Sequence, residues 1–141
     1  MPEDGRFEEG LRIRREVLGD SHVDRSLARA GEFSRPMQEF VTEHCWGAIW
    51  SRPGLGRRER SLVNLGILTA LNRSHELRVH VRGAVRNGCS REEIQEVLLQ
   101  AAIYCGVPAA MESFRVAEAA LEDLEHEETA DGAAPPVRSG E

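Results

Sequence analysis

The chain has 141 residues, enough for one domain with a core of its own and no need of disulfide or metal staples. All 18 basic residues are arginine, so a lysine Schiff base, including covalently held pyridoxal phosphate, is excluded. The net charge of −6 belongs to residues 122–141, which hold seven acids and one arginine; residues 1–121 balance at zero, with a local excess of arginine between Arg57 and Arg91.

A neutral body with a basic centre suits a small anionic ligand better than nucleic acid, since no nucleic-acid motif accompanies the arginines. There is no long apolar run and no secretion-type start, so neither a membrane partner nor export is expected and the cytoplasm is the expected location. Three scattered cysteines, Cys45, Cys89 and Cys105, contain no C-x-x-C pair and read as reduced thiols.

Helical patterns run through the chain, and no period-2 strand stands out. Residues 6–18 are amphipathic, with Phe7, Leu11, Arg14 or Arg15, and Leu18 marking the repeat. Gly19 ends this segment, and Asp20 or Ser21 can cap a short helix to about Ala30. A third helix spans 35–51, with Pro36 in its first turn and Met37, Phe40, Val41, Cys45 (or His44) and Ile49 at helical spacing. "RPGLG" (52–56) is a turn. Residues 57–72 are apolar nearly all round after their leading arginines, as in a central buried helix. A helix over about 74–87 follows and stops at Asn87-Gly88. Ser90 and Glu93 form a capping box for the next helix, with Ile94, Val97, Leu98, Ala101, Ala102 and Cys105 on its buried side. Gly106 breaks the chain, Pro108 fits a first turn, and a last helix reaches about Glu125. The expectation is an all-α domain of six or seven helices over residues 1–126, followed by a disordered acidic, Pro/Gly-rich tail over 127–141.

Several groupings could carry chemistry. Glu76, His80, Gly83 and Asn87 fall on one helical stripe at the edge of the core face. A carboxylate one turn from an imidazole can hydrogen-bond it, raise its pKa and make it a general acid, and Gly83 leaves open space beside it. The same spacing also describes an ordinary surface ion pair, which spacing alone favours. His75 and His80 lie about 140° apart around a helix, so no metal site is expected. Arg58 and Arg60, at a helix start, are either a carboxylate clamp or solvated and paired with neighbouring acids. Trp46 and Trp50 share a face, as a pocket wall or as core and oligomer contact. Tyr104 sits in an apolar helix, where its hydroxyl would need a partner.

The ordered pieces W-G-x-x-W-x-R-P-G-L, R-x-R-S, E-L-x-x-H, N-G, E-I-x-E and Y-x-G-x-P-A-A resemble the carboxymuconolactone decarboxylase family over about residues 10–121. The resemblance implies an AhpD-like helical subunit assembling into a homo-oligomer, a trimer or hexamer. It implies cofactor-independent decarboxylation of 4-carboxymuconolactone, a small anionic lactone, to the β-ketoadipate enol-lactone in protocatechuate catabolism. His80 matches the histidine of the wider superfamily's C-x-x-C-x-x-x-H peroxidase motif, whose cysteine positions are here Arg73 and Glu76. The missing dithiol separates the decarboxylase from a thiol peroxidase, the alternative reading beside a non-catalytic oligomeric protein. On this resemblance His80, oriented by Glu76, is the expected proton donor or oxyanion partner. Arg58 and Arg60, with Arg73 behind them, are expected to hold carboxylates, and Trp46 and Trp50 to wall the pocket. No cofactor is needed, because the substrate's own lactone carbonyl accepts the electrons.

Overall fold

The computed structural model describes residues 5–131, and these are all-α. The elements are α1 (Arg6–Leu18), α2 (Asp20–Arg29), α3 (Arg35–Phe40), α4 (Arg57–Ala70), α5 (Ser74–Arg86), α6 (Arg91–Cys105) and α7 (Val107–Asp131). A π-helical segment, Val41–Ile49, continues α3 without a break.

The local signals account for most boundaries. The capping box forms, with Ser90 Oγ accepting from the Glu93 backbone and Glu93 returning the bond to the Ser90 amide. Gly88 and Gly106 turn the chain at φ of 91° and 99°, where a Cβ would be strained. The start of α2 differs from expectation: Gly19 holds the N-cap position, and neither Asp20 nor Ser21 makes a side-chain cap.

Two cores lie on either side of α5. Leu65 of α4, Leu77, Val81 and Ala84 of α5, Ile94 and Leu98 of α6, and Val116 and Ala120 of α7 form one. Ile13, Val17, Leu18, Val23, Trp46 and Trp50 form the other, with Val79 of α5 packed against it. The stripe from α5 that opens this second side is therefore Val79–His80, a step round the helix from its apolar ridge.

Alpha-1 and the π segment touch backbone to backbone. A Cβ on Gly10 would meet the Thr42 carbonyl and come within 2.7 Å of the Gly47 amide, and one on Gly47 would strike the Arg6 carbonyl. Gly83 performs the same office between α5 and α1. Its expected open space is occupied, since a Cβ there would lie 3.2 Å from the Val17 carbonyl oxygen.

Three expectations about burial are corrected. The 3.6-residue period puts Met37, Phe40 and Ile49 on one repeat, yet all three are exposed, and Thr42, Trp46 and Trp50 are buried instead. The cause is the i→i+5 ladder, seen in the bond from the Trp50 amide to the Cys45 carbonyl at 3.0 Å, which rotates each successive residue less than an α-helix does. Helix α4 buries Ser61, Leu65 and Thr69 along one stripe but leaves Val63, Ile67 and Leu71 about half exposed, because α5 and α6 cover one side of it only. Cys105 and Tyr104 are exposed, so the tyrosine hydroxyl needs no protein partner.

Helix α7 runs to Asp131, beyond the expected stop near Glu125. The acids of this stretch face the arginine row of α5: Arg78 pairs with Asp123, and Arg82 grips Glu127 at 2.6 and 2.9 Å. Arg91 pairs with Glu125. What reads as a charged tail is held as helix by cations one turn apart on a neighbouring helix. The rest of the expected tail, 132–141, lies outside the described residues.

Candidate active site

The π segment and α5 meet at three stacked rings. Trp46 and Trp50 have ring centroids 4.8 Å apart, and the His80 imidazole lies 6.2 Å from the first and 6.3 Å from the second. The imidazole is within 4° of parallel to Trp46. Both tryptophans are buried, so they supply an apolar wall, and His80 is largely enclosed with them. The two tryptophans, four apart, share a face as the sequence suggested, and α5 brings the histidine onto it.

The electrostatics of His80 differ from expectation. Its Nδ1 is sealed from solvent and has no hydrogen-bond partner. Burial, reinforced by the nearby His22, pushes its pKa down to about 4, while Glu76 pulls weakly the other way. Glu76 is exposed and makes no hydrogen bond to the ring. Its i,i+4 placement brings it near enough to be felt, but its carboxylate stays in water, where its field is screened. At neutral pH the imidazole is therefore uncharged. It is a base, or a neutral hydrogen-bonding group, until a ligand supplies negative charge beside it.

The three arginines singled out in the sequence occupy different places. Arg58 is paired with Glu93 of α6 and also lies 3.4 Å from Glu59. Arg60 donates to the Arg52 carbonyl at 3.1 Å, in the loop just after Trp50, and its Nε is buried without a partner. Arg73 is exposed at the N-cap of α5 and, among the described residues, makes no side-chain hydrogen bond or ion pair. Asn87 closes the α5 end by donating to Ser61 Oγ at 2.8 Å. Among the described residues, none of the three makes a hydrogen bond to the imidazole, and His22 and Glu76 are the charged groups it feels. His75 and His80 diverge as expected: His75 lines a surface cavity and His80 lies on the tryptophans.

Sequence reasoning missed the polar groups that α1, α2 and α3 bring to the same region. Arg14 is only 6% exposed. Its Nη2 donates to Gln38 Oε1 at 2.9 Å and its Nη1 to Thr42 Oγ1 at 3.2 Å, while Nε has no partner. Burial also draws its pKa below the ordinary arginine value. Cys45 lies close enough to feel this charge, but burial keeps its thiol pKa raised, so a reactive thiolate is disfavoured. His22 is half-buried, and its pKa is lowered by burial first and then by Arg14 and Arg25. The signal for Arg14 was present: an arginine fell on the apolar repeat of α1.

His22 also forms part of the wall of a cavity of about 830 Å³ between α2 and α5, together with Arg25, Gln38, Val79 and Arg86. The cavity does not reach His80 itself, but Val79 in its wall packs against the tryptophan core and His22 is near enough for its charge to act on His80.

A profile of the carboxymuconolactone decarboxylase family matches residues 35–119, from α3 through about half of α7. The chain is 42% identical to a 4-carboxymuconolactone decarboxylase of Acinetobacter baylyi, over 88% of this chain and 92% of that protein. The chain belongs to the carboxymuconolactone decarboxylase family. It is similar to a second decarboxylase too, a nitrosuccinic acid decarboxylase of Metarhizium robertsii, at 43% identity over 84% of this chain and 82% of that one. The match to the family takes in the π segment, both tryptophans and His80, whereas Arg14 and His22 precede it. Both relatives extend over more of the chain than the family profile does.

Proposed function

We propose that the protein is a carboxy-lyase that converts 4-carboxymuconolactone to the β-ketoadipate enol-lactone, without added cofactor, in the cytoplasmic breakdown of protocatechuate. The observation that carries this reading is the near full-length likeness to the Acinetobacter enzyme of that name. The site supplies compatible chemistry. Loss of CO₂ breaks the bond between the carboxyl carbon and the ring carbon. The electron pair moves through the C=C bond onto the lactone carbonyl, giving a dienolate. A proton then adds to the carbon next to that carbonyl, so one proton is consumed and one CO₂ released.

His80 is the proton donor in this proposal. The free protein holds it neutral, so His80 takes up a proton from solvent as the substrate binds. A dianion beside the ring favours imidazolium and opposes the burial that depresses its pKa. Trp46 and Trp50 exclude water from one face, which disfavours the charged leaving carboxylate relative to neutral CO₂. Glu76 acts only through its distant charge, and Arg60, beside the Trp50 loop, is better placed than Arg58 or Arg73 to help hold the substrate. The raised thiol pKa of Cys45 and the absent C-x-x-C speak against the thiol peroxidase alternative.

The test is incubation of pure protein with 4-carboxymuconolactone and, separately, nitrosuccinate. Loss of lactone absorbance with matching CO₂ release is expected, and His80→Ala should reduce kcat/KM by about a hundredfold or more. Turnover of nitrosuccinate alone would replace the proposed substrate, and undiminished activity in His80→Ala would remove the role given to His80.

A further inference from the structure

Arg14 is the only arginine in the fully buried class among the described residues, and no carboxylate answers its charge. A guanidinium presents five N–H donors in a planar fork. Two are used here, on the neutral oxygens of Gln38 and Thr42, and Nε–H is unbonded. A buried cation among neutral partners is costly, and a ligand carboxylate would offset that cost through paired charge-assisted bonds.

The surroundings show from which side such a ligand would come. Gln38, which holds one end of the guanidinium, is part of the wall of the α2–α5 cavity. So is His22, close enough to Arg14 to feel its charge. His22 also acts on His80, and Val79, the neighbour of His80 in the chain, is in the same wall. Arg25, Arg29, Arg78, Arg82 and Arg86 line the cavity against Asp20 and Glu127, so its field is positive and would draw in an anion.

We infer that His22, in the wall of this cavity, and Arg14, directly behind the wall residue Gln38, seat the carboxylate that the substrate keeps. This rests on the decarboxylase reading. 4-Carboxymuconolactone and nitrosuccinic acid share one skeleton, a succinate whose leaving carboxylate is on the carbon that bears or adjoins the electron-accepting group. The retained carboxymethyl arm is common to both, and only the electron acceptor differs. A seat for that arm therefore selects substituted succinates as a class and is indifferent to whether a lactone or a nitro group accepts the electrons.

Succinate carries both carboxylates and no electron acceptor, so it binds without reacting; succinamate is its singly charged counterpart. The readouts are thermal shift and the fluorescence of Trp46 and Trp50, the chain's two tryptophans. The wild-type protein should prefer succinate to succinamate. Arg14→Met should bind succinate at least about tenfold more weakly, the effect of losing one charge-assisted contact. It should also lose the preference, while its ligand-free melting temperature is no lower than wild type. Arg115→Gln, which breaks an exposed pair with Glu112, should bind as wild type does. No preference in the wild-type protein would overturn the inference. So would wild-type succinate binding in Arg14→Met, whether or not its melting temperature falls. Should Arg14→Met not fold, Arg14→Lys and His22→Gln decide the matter: weakened succinate binding in both supports the seat, and unchanged binding in either overturns it. Lactone turnover is scored separately. A protein that binds succinate through Arg14 but leaves the lactone intact refutes the proposed reaction and not the seat.

Discussion

Lowering the pH from 7 to 5 should destabilise this protein largely through one imidazole, and His80→Phe should remove most of that loss. In the unfolded chain a histidine titrates near 6.5; in the fold, burial against Trp46 and Trp50 holds His80 at about 4. Between those values the unfolded chain binds more protons than the native one. Stability is thus complete above the unfolded value and declines as pH falls toward the folded one. The full difference corresponds to ~3 kcal/mol, of which about 2 kcal/mol is lost by pH 5. His22, lowered mainly by burial as well, adds to the decline in the same direction. The exposed carboxylates whose pKa values are lowered by arginines, Glu9 and Glu16 among them, make themselves felt only at lower pH. Phenylalanine keeps a flat ring on the tryptophan pair and cannot take up a proton. The assay is urea unfolding followed by circular dichroism at pH 7 and 5, at one protein concentration, for both proteins. The reasoning fails if His80→Phe loses as much stability as wild type over this interval. It fails equally if the His80 ring resonances of the native protein titrate near 6.5.

Two further predictions concern packing. Gly10→Ala and Gly47→Ala each drive a methyl into backbone of the facing element, so each should lose about 3 kcal/mol or more and lower the melting temperature sharply, whereas Gly54→Ala, whose Cβ meets nothing within 4 Å, should not. We also propose that the half-exposed face of α4 docks on a second copy of the chain, since the resemblance implies a trimer or hexamer and Val63, Ile67 and Leu71 form an apolar stripe unusual on a monomer's surface. Light scattering should then show an oligomer for wild type and a smaller species for Val63→Asp with Ile67→Asp; an unchanged mass would exclude this face.

The legible parts of the fold were those governed by neighbours in sequence. The capping box at Ser90 and Glu93, the turns at Gly88 and Gly106, and the alternation of helix and break from α4 to α7 depend on contacts within a few residues. Trp46, Trp50 and His80 could be nominated because each lay on a helical face with a recurring spacing, but their meeting could not, since it joins residues at least 30 apart in the chain. The burial pattern of 37–49 departs from a 3.6-residue repeat because the period itself changes in the π segment, and no composition signal marks that change.

What the sequence by itself determined is the all-α class, most helix boundaries, the family, and the two rings and one imidazole worth testing. The tertiary structure alone decided the charges. It spent Arg58, Arg78, Arg82 and Arg91 of the basic stretch on Glu93, Asp123, Glu127 and Glu125, which made residues 127–131 of an apparent acidic tail the end of α7. It left the buried, unanswered cation on α1, at Arg14, and made His80 neutral in spite of Glu76 one turn away. The reason is physical: a charge's effect depends on what shields it and what lies within a few ångströms. Both are properties of packing between helices and not of spacing along one.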